Sequence, residues 1–293
     1  MSKLIVHSIK NNPAFEGLAS YKPDIVYSTA QGLSLKLHLL LPQAALRPEG
    51  EGKVFPCIVF VQGSAWTFPD ITYELPQMSE FARNGYVVAM VTHRSALDGF
   101  QTPAFLEDVK TAIRFLRANA AEYRIDPARI GIWGTSSGGN TALLVGLTGD
   151  DPAYRTSEYP ELSDKVKMVV DCFGPADVPA LFEAIKHRAK ENPEDGKLLY
   201  GLFGTDEEKW PEKMDSMNPV AKIKDGVEYP PFLLIHGDKD ELVPYLQSVD
   251  MAERLCAAGV HTELIQVEGA EHEGSFWSRE LLSMIADYIG RTL

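Results

Sequence analysis

The sequence predicts an α/β fold in which helices cover both faces of a mostly parallel central sheet with an antiparallel edge. Nearly continuous apolar runs recur along the chain, and such runs are typical of strands buried on both faces. Amphipathic stretches with helical spacing separate these runs, and strands that alternate with helices favour a parallel sheet. A leucine-rich segment before the first run alternates with a period of two, which indicates a half-buried strand at one edge.

The expected strands follow one another between residues 33 and 267. Alternate leucines mark the early edge strand, and these are Leu33, Leu35, Leu37, Leu39 and Leu41. The buried strands are expected at residues 54–61, 86–92, 129–133, 166–172, 232–235 and 262–267. Residues 42–53 are rich in Pro, Gly and Glu, and we expect a hairpin-type loop there.

Helices are expected between the buried strands. The clearest follows Thr102-Pro103, where Thr102 is expected to cap the helix and Pro103 suits its first turn. Three further helices are expected, one from just after Ser136 to Leu147, one over residues 245–258 that ends at Gly259, and one over residues 276–289.

The segment between Phe173 and Tyr229 interrupts the alternation of strands and helices. Five prolines separate short, charged helical pieces there. Ligands bind beyond the carboxyl ends of the strands in folds of this kind, so we expect a cap-like helical insertion at about residues 175–228. The alternative is a surface excursion without a role in substrate binding. The whole chain, residues 1–293, is expected to form a single domain that carries this insertion.

Composition restricts the partners and the compartment. The formal net charge of -13 disfavours nucleic acid as a partner and favours neutral small-molecule substrates over anionic ones. No CxxC pair indicates a zinc or redox site, and Cys57 and Cys172 lie in apolar runs where we expect them to be buried. No signal peptide or membrane span is evident, so we expect a cytoplasmic protein without a membrane partner, and a homo-oligomer is left open.

The segment Gly134-Thr135-Ser136-Ser137-Gly138 carries the first chemical signal. A predicted strand precedes it and a predicted helix follows it, which is the strand–turn–helix context of a nucleophile elbow. Glycines allow the sharp turn that presents Ser136 above the sheet. A phosphate-binding loop is the rival interpretation, and the missing GxxxxGK[ST] pattern argues against it.

The segment Gln62-Gly63-Ser64-Ala65-Trp66 leaves the end of a predicted buried strand. Backbone N–H groups in such a loop are suited to stabilising an oxyanion. We therefore expect the N–H groups of Ser64, Ala65 and Ser137 to form an oxyanion hole.

Two later segments supply an acid and a base. Asp238 and Asp240 follow the strand at 232–235, and we choose Asp240 because it lies further out on the loop, whereas Asp238 suits the turn. His272 follows the last strand, and the order Ser, Asp, His is that of a catalytic triad. His93 also follows a strand, and we assign it to the substrate pocket with Trp66, Phe173 and Trp277. No metal or cofactor is needed.

These segments resemble the α/β-hydrolase esterases. More closely, the chain resembles the bacterial acetylxylan and feruloyl esterase-like branch near the carboxylesterase and hormone-sensitive-lipase groups. The resemblance rests on VQGSAW, LEDVKTAIRFLRANAAEYRIDPARIGIWGTSSGG, DCFGPADV, PPFLLIHGDKDELVP and VEGAEHEGSFW, and it covers most of the chain from residue 54 onward.

The resemblance implies an α/β-hydrolase fold, the triad Ser136–Asp240–His272, and hydrolysis of short acyl or cinnamoyl-type esters of carbohydrates through an acyl-enzyme. A serine peptidase of the prolyl-oligopeptidase kind shares the triad order, and a hydrolase-fold protein that only binds ligands is the other alternative.

Overall fold

The computed structural model of the chain describes residues 3–29, 32–46, 53–190 and 192–293, and one eight-stranded sheet runs through these ranges. The strands are β1 (Ala19–Ser28), β2 (Leu35–Pro42), β3 (Phe55–Val61), β4 (Val87–Val91), β5 (Ile125–Thr135), β6 (Val169–Cys172), β7 (Phe232–Gly237) and β8 (Thr262–Val267). Their order is β1-β2-β4-β3-β5-β6-β7-β8. β2 is antiparallel to both of its neighbours, and the remaining pairs are parallel. The predicted mostly parallel sheet with an antiparallel edge is confirmed.

The antiparallel edge differs from expectation in two respects. Strand β1 is not indicated by alternation, because Pro23 and Asp24 fall inside it and its register shifts between Lys22 and Ile25. Proline lacks an N–H group and is tolerated at a sheet edge. The hairpin expected at residues 42–53 is wrong, because β4 lies between β2 and β3. Residues 47–52 of that connection lie outside the described residues.

Helices of the described residues flank the sheet on both sides, as predicted. They are α1 (Leu75–Arg83), α2 (Ala104–Ala118), α3 (Ala120–Tyr123), α4 (Ser137–Leu147), α5 (Val178–Arg188), α6 (Pro193–Phe203), α7 (Trp210–Ser216), α8 (Leu246–Ala257) and α9 (Arg279–Thr292). Apolar residues of α2, α4 and α8 share one buried cluster, and those of α1 and α9 share the other. Within the described ranges, no helix combines the length and apolar character that crossing a bilayer requires.

Two predicted helix starts need correction. Thr102 does not cap α2, because Pro103 occupies the N-cap position and Oγ1 of Thr102 lies 3.3 Å from Oγ of Ser216 instead. The last helix begins at Arg279 rather than at residue 276, because Ser278 caps it by accepting from the N–H of Leu281. The predicted end of α8 is confirmed, since Gly259 follows it with a positive φ of 80°.

The segment between β6 and β7 contains α5, α6 and α7. Asn140 of α4 bonds on either side of these three helices, since its amide donates to the carbonyls of Pro175 and Met217 at 2.8 and 3.1 Å. Phe182 of α5 packs on Trp66, with ring centroids 5.6 Å apart. Because Trp66 follows the carboxyl end of β3, the segment contacts the rim of the sheet where the strands end.

Candidate active site

Ser136 occupies a sharp turn between β5 and α4. Its φ of 52° lies in the left-handed region, which is costly for a residue with a side chain. The flanking glycines make the turn possible. A Cβ atom on Gly134 would lie 2.0 Å from the carbonyl oxygen of Gly138, and one on Gly138 would lie 2.0 Å from that of Val61. The turn therefore places Ser136 at the end of the sheet and at the N-terminus of α4.

His272 lies between Ser136 and Asp240. Its Nε2 atom is 3.0 Å from Oγ of Ser136, and its Nδ1 atom is 2.6 Å from Oδ2 of Asp240. An ionised carboxylate only accepts hydrogen bonds, so Nδ1 carries the proton and Nε2 is left to accept from the serine hydroxyl. The structure thus brings together the three side chains that the sequence analysis selected.

The carboxylate of Asp240 is held on both oxygens. Oδ1 accepts from the N–H groups of Leu242 and Val243, each at 2.9 Å, and Oδ2 accepts from His272 and His236. Burial alone would raise the pKa of Asp240, but the hydrogen bonds from His236, His272 and the Val243 N–H outweigh it and hold the pKa well below its usual range. The group is therefore an anion that fixes one tautomer of His272.

Asp240 lies on the loop after β7 and His272 on the loop after β8, and Asp238 bonds the first loop to the second. Oδ1 of Asp238 accepts from the N–H of Gly269 at 2.7 Å, and the N–H of Lys239 donates to the carbonyl of Ala270 at 3.0 Å. A Cβ atom on Gly237 would lie 2.3 Å from that same carbonyl oxygen, so only glycine allows the close approach. Asp238 thus shapes the loop, which is the role that the sequence analysis gave it.

The loop after β3 is bonded to the hydroxyls on either side of Ser136. The N–H of Gly63 donates to Oγ1 of Thr135, and the N–H of Ser64 donates to Oγ of Ser137, each at 2.9 Å. The prediction of Ser64 as a free donor is therefore corrected. The N–H groups of Ala65 and Ser137 have no hydrogen-bond acceptor within the described residues. These two remain as candidate oxyanion donors.

The four predicted pocket residues divide into two pairs. Phe173 and Trp277 lie beside the site, since the Phe173 ring is 4.7 Å from the His272 ring and 6.3 Å from that of Trp277. Trp66 and His93 are 3% and 1% exposed, and both rings pack on Phe105 in the core. Phe173 is equally buried, at 1% exposed, so the prediction of an open pocket lining is corrected for Trp66, His93 and Phe173.

Burial explains the state of His93. It lowers the pKa of His93 to about 4, against a smaller opposing effect of its hydrogen bond to the carbonyl of Arg94. The ring is therefore neutral at physiological pH, with Nδ1–H donating to that carbonyl at 2.8 Å.

Three further residues escaped the sequence analysis or were given no role by it. The sequence analysis gave His236 no role, yet its Nε2 atom lies 3.1 Å from Oδ2 of Asp240. Phe68 and Tyr73, on the loop between β3 and α1, are 61% and 58% exposed and present open aromatic surface that the buried Trp66 lacks.

Two further carboxyl groups are buried near the loop that carries His272. Glu74 is 2% exposed, and its side chain does not cap α1. Burial, followed by the negative charge of Glu273, raises the pKa of Glu74 to about 7. Burial also raises the pKa of Glu273, although the neighbouring His272 opposes this. The folded protein therefore binds a proton at Glu74 more tightly than the unfolded chain does.

Replacing Glu74 by glutamine should stabilise the protein at alkaline pH. Folding raises the pKa of Glu74 from near 4.5 to near 7. The free energy of unfolding of the protein therefore falls as the pH rises between these two values. We expect Glu74→Gln to gain on the order of 2 kcal/mol in the free energy of unfolding at pH 8 and only about a quarter of that at pH 5. Urea unfolding at pH 5, 6.5 and 8 measures this.

Glu80→Gln, at an exposed position of the same helix, is the control and should show no such pH-dependent gain. An equal gain for Glu74→Gln at pH 5 and pH 8 would contradict the assignment of the buried proton to Glu74. A metal explanation for the paired carboxyls finds no support in the side chains, because no three His, Cys, Asp or Glu groups of the described ranges cluster as metal ligands.

The eight-stranded sheet, the serine at its turn and the order of the three side chains define an α/β-hydrolase fold. A family model described as BD-FAE matches residues 45–255, and the chain belongs to this family.

Two relatives of the chain are named as esterases. The chain is 30% identical over 227 residues to the esterase LipC of Mycobacterium tuberculosis, covering 75% of this chain and 53% of LipC. It is 27% identical over 263 residues to the esterase LipQ of the same organism, covering 83% of this chain and 57% of LipQ. The chain thus spans about half the length of these two relatives.

Solved structures resemble the chain over most of its length. A truncated carbohydrate esterase from gut microbiota is 27% identical with a TM-score of 0.74, covering 96% of this chain and 99% of that protein. The butyrate-bound esterase Est2 of Thermogutta terrifontis is 26% identical with a TM-score of 0.72, covering 94% of both chains. A bifunctional GH43-CE protein of Bacteroides eggerthii is 31% identical with a TM-score of 0.75, covering 93% of this chain and 38% of that protein.

Proposed function

We propose that this protein is a serine carboxylic-ester hydrolase that works through an acyl-enzyme. The observation that carries the proposal is the hydrogen-bonded series from Oγ of Ser136 through the His272 ring to Oδ2 of Asp240. A serine hydroxyl is a weak nucleophile, and an adjacent base whose tautomer is fixed by a carboxylate activates it.

In the first half of the cycle, Ser136 attacks the ester carbonyl while Nε2 of His272 takes the hydroxyl proton. The carbonyl oxygen becomes an oxyanion that accepts from the N–H groups of Ala65 and Ser137. The imidazolium of His272 is stabilised by the anionic Asp240. His272 then gives its proton to the departing alcohol oxygen, and the acyl group remains on Ser136.

In the second half, water replaces the alcohol. His272 takes a proton from water, the hydroxide oxygen attacks the acyl carbonyl, and the same two N–H groups stabilise the second oxyanion. Collapse releases the carboxylic acid as Ser136 recovers its proton from His272. No step requires a redox change.

The substrate class we propose is a short acyl or cinnamoyl-type ester of a carbohydrate. Membership of the BD-FAE family and similarity to a carbohydrate esterase support the alcohol part. Similarity to an esterase solved with butyrate supports a short acyl group. The exposed rings of Phe68 and Tyr73 are suited to packing against a sugar or a cinnamoyl ring.

A panel of esters tests the proposal. We expect hydrolysis of p-nitrophenyl acetate and butyrate, methyl ferulate and acetylated xylo-oligosaccharides, and labelling of Ser136 by a fluorophosphonate. A strong preference for long-chain esters would refute the substrate class. Absence of labelling and of turnover would favour a ligand-binding protein, and peptide hydrolysis at rates that match ester hydrolysis would favour a peptidase.

Removing the hydroxyl of Ser137 should weaken the oxyanion hole without removing its N–H groups. Oγ of Ser137 accepts from the N–H of Ser64 and so holds the loop that carries Ala65. We expect Ser137→Ala to lower kcat by about 10-fold with a small effect on KM, because a displaced donor loses part of its value of about 3 kcal/mol. Steady-state hydrolysis of p-nitrophenyl butyrate measures this.

Ser64→Ala is the matched control for Ser137→Ala. It removes a hydroxyl that donates to the carbonyl of Thr67 within the same loop, while the backbone bond to Ser137 remains. We expect its kcat to stay nearer the wild-type value. Equal losses in the two variants would mean that the loop, rather than the bond from Ser64 to Ser137, sets the rate.

A further inference from the structure

A second histidine contacts the carboxylate of Asp240. His236, the penultimate residue of β7, is 0% exposed, and the proposed cycle does not use it. Its Nε2 atom lies 3.1 Å from Oδ2 of Asp240 and 2.9 Å from the carbonyl oxygen of Val243. Its Nδ1 atom lies 2.6 Å from Oγ of Ser248 at the start of α8.

The partners of His236 fix where its proton lies. The ionised Asp240 and the Val243 carbonyl can only accept, so Nε2 carries the hydrogen and shares it between them. With Nε2 protonated, a neutral ring accepts at Nδ1 from the hydroxyl of Ser248. Both ring nitrogens are then satisfied without placing a positive charge in a fully buried position, which would be costly.

These bonds tie the acid to two other parts of the fold. Oδ1 of Asp240 accepts hydrogen bonds from backbone N–H groups of its own loop. Oδ2 accepts from two rings, those of His272 and His236. The N–H of His236 also reaches the carbonyl of Val243, so one ring holds both the carboxylate and its loop. Ser248 orients the ring from α8.

We propose that His236 is a positioning residue that sets the direction and the charge of Asp240 toward His272. This inference rests on the proposed esterase function, because Asp240 acts there through His272. The hydrogen bond from His236 partly neutralises the negative charge on Oδ2, so a weaker charge acts on His272. It also prevents the carboxylate from turning about its Cβ–Cγ bond.

The test compares two variants. His236→Met introduces an apolar side chain of similar length and removes the N–H, whereas His236→Gln has an amide N–H that can reach Asp240. We expect His236→Met to lower kcat by roughly 10- to 100-fold with little change in KM, as for groups that orient a functional side chain from behind. We expect its acid limb of kcat/KM to move to higher pH, because more charge on Oδ2 favours the imidazolium. His236→Gln should restore most of both values.

A purely structural role would lower the melting temperature without moving the acid limb, and that outcome overturns the proposal. Equal losses in the Met and Gln variants would also overturn it. If His236→Met does not fold, Ser248→Ala serves instead, since it frees the ring and should reduce kcat in the same direction by a smaller factor.

A readout that needs no turnover separates this inference from the proposed function. The proton between Nδ1 of His272 and Oδ2 of Asp240 should give a low-field ¹H NMR signal, which we expect to shift in His236→Met and to recover in His236→Gln. An unchanged signal would refute the positioning role. A wild-type protein that hydrolyses no ester, but whose signal shifts in this way, would refute the esterase function alone.

Discussion

Replacing Ser136 by alanine is expected to lower kcat for ester hydrolysis by about 10⁶-fold, which is the scale of losses on removing a serine nucleophile. The reason is that no other hydroxyl is hydrogen-bonded to Nε2 of His272 within the described residues. The substitution keeps a Cβ atom at a φ of 52°, so we expect the melting temperature to change little. Single-turnover and steady-state hydrolysis of p-nitrophenyl butyrate measure the effect, and thermal unfolding shows that the variant is folded.

Ser79→Ala is a matched control, since it removes a hydroxyl of α1 that donates to the carbonyl of Pro76 and, within the described residues, makes no hydrogen bond to the triad. It should keep wild-type kcat and fluorophosphonate labelling. Retention of esterase activity by purified Ser136→Ala would disprove the assignment of the nucleophile, and with it the proposed cycle.

Replacing Asp240 by asparagine is expected to lower kcat by about 10⁴-fold at neutral pH. An amide that faces His272 with its NH₂ group favours the tautomer with hydrogen on Nε2, which cannot take the proton of Ser136. The amide also lacks the charge that stabilises the imidazolium. The kcat of the variant measured from pH 6 to pH 9 tests this, and part of the loss should be recovered at high pH, where hydroxide can take the serine proton.

Asp238→Asn separates the role of the acid from the role of its loop. Asp238 bonds to the N–H of Gly269 and to the side chain of Gln266, and neither bond touches His272. We expect a loss in kcat of less than about 10-fold together with a lower melting temperature. A loss as large as that of Asp240→Asn would contradict the division of roles between the two aspartates.

Much of the fold could be predicted because its strands are buried on both faces. β3 and β7 are continuous apolar runs, and the sequence shows such runs directly. The edge strand β1 contains Pro23 and Asp24 and is not a continuous apolar run, so the sequence does not show it. The hairpin between β2 and β3 was wrong because strand order depends on how β4 enters the sheet, which no local pattern records.

The candidate site divides in the same way. Ser136, Asp240 and His272 follow strand ends, and parallel strands bring such positions to one rim. The sequence could not predict where the Trp66 side chain and the Ser64 N–H point. Ala65 and Trp66 adopt positive φ values of 51° and 55°, which non-glycine residues seldom take. That turn sends the indole into the core and directs the Ser64 N–H to Ser137. The contact of His236 depends on the fold of the 237–243 loop.

Thr135 and Ser137, the residues on either side of the nucleophile, both bind the same neighbouring loop through their hydroxyl groups. Each accepts a backbone N–H from the loop that follows β3, so the attacking oxygen and the loop that carries Ala65 are joined through immediate sequence neighbours. Any small displacement of the serine turn is thereby passed on to that loop, and the spacing between nucleophile and loop is preserved. Under the proposed function, we expect discrimination between esters to depend on surfaces that can vary independently of this spacing, such as the loop of Phe68 and Tyr73 and the helices between β6 and β7.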